Sequence, residues 1–95
     1  MKTNQIIIKV IYDINNDLIT DIKDVTHMDL DENITKSPNG YYTELGKDYL
    51  QFHIDPSKFM IWYEKNHNQL SKTMDKVTNS VKLFLRKKKI KIILK

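Results

Sequence analysis

Ninety-five residues carrying a net charge of +4 amount to one domain's worth of chain, with enough length for one modest core. Cysteine is absent and glycine and proline number two each, which excludes a disulfide-stapled scaffold and a linker-dominated chain. No apolar stretch approaches the roughly 18 residues that a membrane-spanning helix requires.

Residues 5–13, Gln-Ile-Ile-Ile-Lys-Val-Ile-Tyr-Asp, are β-branched and aromatic and predict a strand. Ile6, Ile8, Val10 and Tyr12 share one face of it, and Ile7, Lys9 and Ile11 the other. Asn15-Asn16-Asp17 supplies turn chemistry, because Asn and Asp tolerate positive φ. Leu18 to Thr26 then returns as the second arm of a hairpin. A short helix capped by Asp17 is the alternative there, since Leu18, Ile22 and Val25 also fit helical spacing.

Residues 27–40 are polar and acidic and end in Ser37-Pro38-Asn39-Gly40, a strong turn signal. A second hairpin follows, from Tyr41–Leu45 through a Gly46-Lys47 turn to Asp48–Ile54. Leu50, Phe52 and Ile54 alternate there with Tyr49, Gln51 and His53. Asp55-Pro56-Ser57 marks a helix start, with Asp at the N-cap and Pro in the first turn. Phe59, Tyr63, Leu70, Met74, Val77, Val81 and Phe84 then follow spacings of three and four, predicting an amphipathic helix to about residue 86. Asn66-His67-Asn68 is the point where it would break or bend. The tail Lys89–Leu94 alternates at first and reads as a final strand; a hairpin of 80–86 with 89–94 is the lesser alternative. The expected fold is α+β: one domain over 1–95, with an antiparallel sheet of four or five strands (two N-terminal hairpins and an optional C-terminal strand) covered by one long C-terminal helix.

Motifs for chemistry are missing. There is no thiol, no Gly-x-Ser-x-Gly elbow and no glycine-rich phosphate loop. Neither an enzyme nor a cofactor is expected. His27, His53 and His67 are scattered and read as structural or surface residues, although His53 with Asp55 and His27 with Asp29 and Asp31 can share a face if extended. Asp29–Asn33 opens like a calcium loop, but Ile34 stands where glycine is needed and Gly40 where the bidentate glutamate belongs. Tyr41, Tyr42 and Tyr49 cluster in the second hairpin. Only Lys47 lies among them, so cross-strand packing is favoured over base stacking, with partner contact as their functional reading.

Charge is the distinctive feature. Residues 1–55 hold five lysines against ten acidic residues, a net of −5, and residues 56–95 hold eleven basic residues against two acidic ones, a net of +9. Such asymmetry points to a charged partner. Lysine supplies almost all the positive charge, with Arg86 the one arginine, and alanine is absent. Lysine makes poorer base contacts than arginine, which disfavours sequence-specific DNA reading.

The expected function is therefore a small non-enzymatic binding protein. It would inhibit or modulate a host enzyme or defence nuclease by presenting an acidic surface to a basic cleft on a protein partner. Asp17, Asp21, Asp24, Asp29, Asp31 and Glu32 would form that surface, with Tyr41, Tyr42 and Tyr49 as aromatic contacts. The alanine-free, lysine-, isoleucine- and asparagine-rich usage is that of A+T-rich coding, as in low-G+C bacteria and their phages, and fits a phage or mobile-element product of the anti-defence kind. The alternative is non-specific nucleic-acid binding through Lys76, Lys82, Arg86, Lys87, Lys88, Lys89 and Lys91. Membrane-surface association of 83–95 comes third. A homo-oligomer is left open. The expected compartment is the cytoplasm, a host's for a phage-encoded chain: cysteine is missing, and Lys2 precedes an apolar run of only three, Ile6–Ile8.

Overall fold

The structure, a computed structural model, describes residues 6–25 and 32–89, with Glu32 described through its backbone only. Two antiparallel hairpins are built from the β-branched and aromatic runs: β1 (Ile8–Asp13) with β2 (Leu18–Asp24), and β3 (Tyr41–Leu45) with β4 (Tyr49–Ile54). They join along β1 and β4 into one four-stranded antiparallel sheet of order β2-β1-β4-β3. The first turn uses the predicted residues. Asp13 accepts the Asn16 backbone N–H at 3.1 Å and its amide at 2.8 Å, and Asp17 takes a positive φ of 55°. The helical alternative for residues 18–26 is thus excluded over β2. A register shift between Ile11 and Tyr12 pairs Ile11 with Asp21 but Tyr12 with Ile19, so Thr20 is the extra residue of a bulge.

Because side chains alternate, the pairing sorts residues onto two faces. Ile8, Val10, Tyr12, Phe52 and Ile54 lie buried on one of them, with Ile19, Ile22 and Leu50 partly buried beside them. The helices α2 (Pro56–Asn66) and α3 (Lys72–Lys87) complete that core with Phe59, Met60, Val77, Val81 and Leu85. Val77, Val81 and Leu85 recur every four residues, which is why this stripe of α3 faces the sheet. Each fully buried side chain of this size contributes about 1.5–3 kcal/mol.

The helical region departs from the single rod predicted to residue 86. It is interrupted by a 3₁₀ turn, His67–Gln69, at the asparagine-histidine segment, and Leu70 sits in extended backbone rather than on the helical stripe. Each helix opens on its own cap. Asp55 accepts the backbone N–H groups of Ser57 and Lys58 to open α2, and Ser71 accepts the Met74 N–H to open α3. Helix α3 runs through Lys87, so the hairpin reading of 80–86 is wrong; the four-residue spacing of Val77, Val81 and Leu85 is that of a helix. Of the fifth-strand expectation, Lys89–Leu94, only Lys89 is described and it lies in a turn; the rest falls outside the described residues.

The polar and acidic stretch, for which the sequence predicts only the closing turn, contains a short helix, α1 (Glu32–Lys36), which packs against β3. Its Ile34 is fully buried although it stands outside the main core. Gly40 follows with φ of 75°, and its carbonyl accepts the Asp55 N–H at 2.8 Å. That bond ties the start of β3 to the start of α2. No helix among the described residues is long and apolar enough to cross a membrane.

Candidate functional site

The face of the sheet turned away from α2 and α3 is set by register. One row across it runs Tyr42, His53, Lys9, Lys23; the next runs Glu44, Gln51, Ile11, Asp21; the last brings Tyr49, Asp13 and Leu18 together. The first row is closed at His53, which is buried, as is Ile7 beyond it, with Tyr42 stacked on the His53 ring at 6.4 Å; Lys23 at the sheet edge is exposed. Toward the turns the face opens, with Tyr49 41% and Leu18 47% exposed and Asp21 and Glu44 at the surface.

The two hairpin turns are joined at this open end. The Ile14 N–H donates to the Asp48 carbonyl at 3.0 Å, and the Asn15 amide donates to the Asp48 carboxylate at 3.3 Å. Four of the five large exposed apolar residues among those described, Ile14, Leu18, Leu45 and Tyr49, lie in or beside these turns. Asp13, Asp21, Glu44 and Asp48 lie in or beside the same turns, with Lys47 in the second turn and Lys76 reaching Asp17 in the first. Asn16, bonded through its amide and its N–H, holds the Asp13 carboxyl below its ordinary value and so keeps it charged. Tyr49 is held in place because its ring folds over Gly46, where any Cβ would collide with it. Tyr49 and Leu18 thus stand on the open face with carboxylates in their own and the next row, while Leu45, paired with Leu50, lies on the helix-facing side of the edge strand. An apolar and aromatic spot beside carboxylates suits a partner with a basic border.

The predicted acidic residues divide. Asp21 lies on the open face beside Ile11. Asp24, paired with Ile8, is half-buried at the sheet edge. Asp17 is committed elsewhere: Lys76 contacts its carboxylate at 2.8 Å and its carbonyl at 2.7 Å, and the Tyr12 hydroxyl donates to it. The hydrogen bond from Lys76, and then that from Tyr12, hold the Asp17 carboxyl below its ordinary value. Asp29 and Asp31 lie outside the described residues, and Glu32 is the first residue of α1. Among the tyrosines, Tyr41 points into the core, within 6.0 Å of the Phe52, Phe59 and Trp62 ring centroids, while Tyr42 and Tyr49 belong to the open face.

The basic residues gather on the opposite layer. Residues 56–89 hold nine basic side chains against two acidic ones, whereas the described sheet segments, 6–25 and 41–54, hold three against six. The two-layer fold thus keeps most of the charge separation, and Lys76 with Asp17 marks the seam. Lys82 lies over the Tyr63 ring and Lys88 over the Phe84 ring, each 5.6 Å from the centroid. Arg86 and Lys87 occupy the last turn of α3, where they complement the helix dipole. Lys89 closes the described chain in a left-handed conformation, and Lys91 lies beyond it. Tyr63 donates to Asp75 at 2.6 Å, which raises its hydroxyl above its ordinary value.

No group of three or more His, Asp or Glu side chains converges to hold a metal among the described residues. His53 and Asp55, two apart in sequence, serve different ends: the ring stacks on Tyr42 while the carboxylate caps α2. Asp13, Ile14, Leu18, Glu44, Leu45 and Asp48 were not singled out in sequence as site residues. Their only signal is position in the two turns, and only the β1–β4 pairing shows that those turns meet. Comparison with protein-family models, curated proteins and solved structures returns no match.

Proposed function

We propose that this chain is a small non-enzymatic binding protein that docks on a basic surface of a protein partner through the open, turn-proximal end of its sheet. The observation that carries the reading is the exposure of Tyr49 and Leu18 on the open face, in one row with Asp13 and next to the row of Asp21 and Glu44, with exposed Ile14 and Asp48 in the adjoining turns. Patches of this kind mark interaction sites, and a tyrosine packed on backbone is a low-entropy anchor. Carboxylates around it steer a cationic partner and set its register. A partner whose working surface is basic, such as an enzyme or nuclease acting on nucleic acid, has that chemistry. Occupying such a surface inhibits or modulates the enzyme. The A+T-type residue usage agrees with a phage or mobile-element product directed at a host defence.

The test has two stages. Candidate partners are captured with the intact chain from lysate and identified, and binding of the purified pair is measured by biolayer interferometry at two salt concentrations. Tyr49→Ala should weaken the complex by about 2 kcal/mol through a faster off-rate. Asp21→Asn with Glu44→Gln should slow association and flatten its salt dependence. If these variants bind like the parent while neutralising Arg86, Lys87 and Lys88 abolishes the complex, the sheet-face reading fails and the function passes to the basic helices.

A further inference from the structure

A second surface, chemically opposite to the first, lies between α1 and α2. Lys36, Ser37 and Pro38 form one wall, and Lys58, Ile61, Trp62 and Lys65 form the other, around an open groove of about 360 Å³. Among the described residues, three lysines and no carboxylate line it. Lys58, Ile61, Trp62 and Lys65 are spaced three, four and seven residues apart, so they form one stripe of α2. Trp62 is held from behind by Tyr41, with centroids 5.4 Å apart, and by Phe59 at 5.9 Å. Lys58 donates to the Thr35 carbonyl at 2.7 Å, which pins the end of α1 to α2 and keeps the groove formed.

We propose that this groove binds single-stranded nucleic acid, with a base against Trp62, Ile61 and Pro38 and the backbone phosphates along Lys36, Lys58 and Lys65. The proposal concerns a different surface from the sheet face and does not depend on what that face binds. Indole and lysine together are the ordinary equipment for sequence-tolerant strand binding: the ring stacks any base and the ammonium groups neutralise phosphate. Lys58 and Lys65 arise about 10 Å apart along the helix axis, and Lys58 is tethered to a carbonyl. A polyanion can engage both without either side chain leaving its place. A duplex is disfavoured, because its bases are stacked inside and unavailable to Trp62. The groove lies on the helix-layer side of the charge division, so the acidic rim is not set against the strand.

Trp62 is the chain's one tryptophan, so its fluorescence reports on this groove alone. The full-length protein is titrated with oligothymidylate at several salt concentrations. Saturable quenching that weakens with salt is expected. Lys65→Gln, an exposed substitution, should lower affinity and reduce the log–log salt slope by about 0.7. Lys47→Gln removes the same charge in the distant β3–β4 turn and should leave the titration unchanged. The proposal is overturned by absence of saturable quenching, by equal quenching from thymidine monophosphate (a small-ligand site), or by equal quenching from polyglutamate (a general acidic-peptide site). It is also overturned if Lys65→Gln binds like the parent while neutralising Arg86–Lys88 abolishes binding.

Discussion

Gly40 offers the sharpest test of how the two halves of the chain are joined. It has φ of 75°, and a Cβ placed on it would lie 2.5 Å from the Phe59 nitrogen, 2.6 Å from the Lys58 Cβ and 2.8 Å from the Lys58 carbonyl carbon. Two of these three atoms are backbone in the first turns of α2, so no rotamer change relieves the collision. Gly40→Ala then carries two costs. Left-handed backbone costs an L-residue about 1–2 kcal/mol, and overpacking against atoms that cannot move aside costs about 1–3 kcal/mol. Their sum, about 2–5 kcal/mol, is a large share of the roughly 5–15 kcal/mol that holds a domain of this size. The melting temperature should fall by roughly 10 °C or more. Urea unfolding followed by Trp62 fluorescence and by far-ultraviolet circular dichroism measures the loss, and the two probes check that the transition stays two-state. A loss below about 1 kcal/mol would refute the proposed close approach of β3 to α2.

Asp55→Ala should cost about 1–2 kcal/mol because the N–H groups of Ser57 and Lys58 lose their cap in a buried setting, while Asp55→Asn keeps most of it; equal urea midpoints for both variants and the parent would contradict the cap. The Asp17 carboxyl titrates below its usual value in the folded chain because Lys76 and Tyr12 bond it. Its contribution is therefore complete above the unfolded-state value near 3.8 and is lost as pH falls through the lowered folded value. Urea midpoints measured from about pH 5 down to pH 2 should decline less steeply for Asp17→Asn than for the parent, and indistinguishable slopes would count against this pairing.

The strands and the start of α2 were legible because their signals are local. Ile8, Val10 and Tyr12 alternate with Lys9 and Ile11, and Asp55-Pro56 carries both halves of an N-terminal helix signal within two residues. The interruption at residues 66–71 was legible only as a weak point. Asn66, His67 and Asn68 each disfavour a helix slightly, but nothing nearby declares that Ser71 will cap a new one. Helix α1 was missed because five residues, Glu32–Lys36, are too few to show a period. They are helical because Ile34 is buried, which is a tertiary fact. The proposed surfaces were partly legible: charge sorting was visible as a count, and Tyr42, Tyr49 and Asp21 were named in advance. Asp17 was named as well, yet the fold places it against Lys76, 59 positions away, where it closes the seam between layers.

Composition and periodicity alone therefore determined that this chain folds as hairpins and a C-terminal helical segment, and that its ends carry opposite charge. Those properties depend on neighbours within a few residues, which the chain cannot separate. Tertiary structure alone decided that β1 pairs with β4, bringing two turns and their exposed Ile14, Leu18, Leu45 and Tyr49 to one end. It alone set Lys36 across a groove from Lys58 and Lys65. Such meetings are settled by which apolar faces can be buried together, a competition run over the whole chain, and no local window contains its outcome.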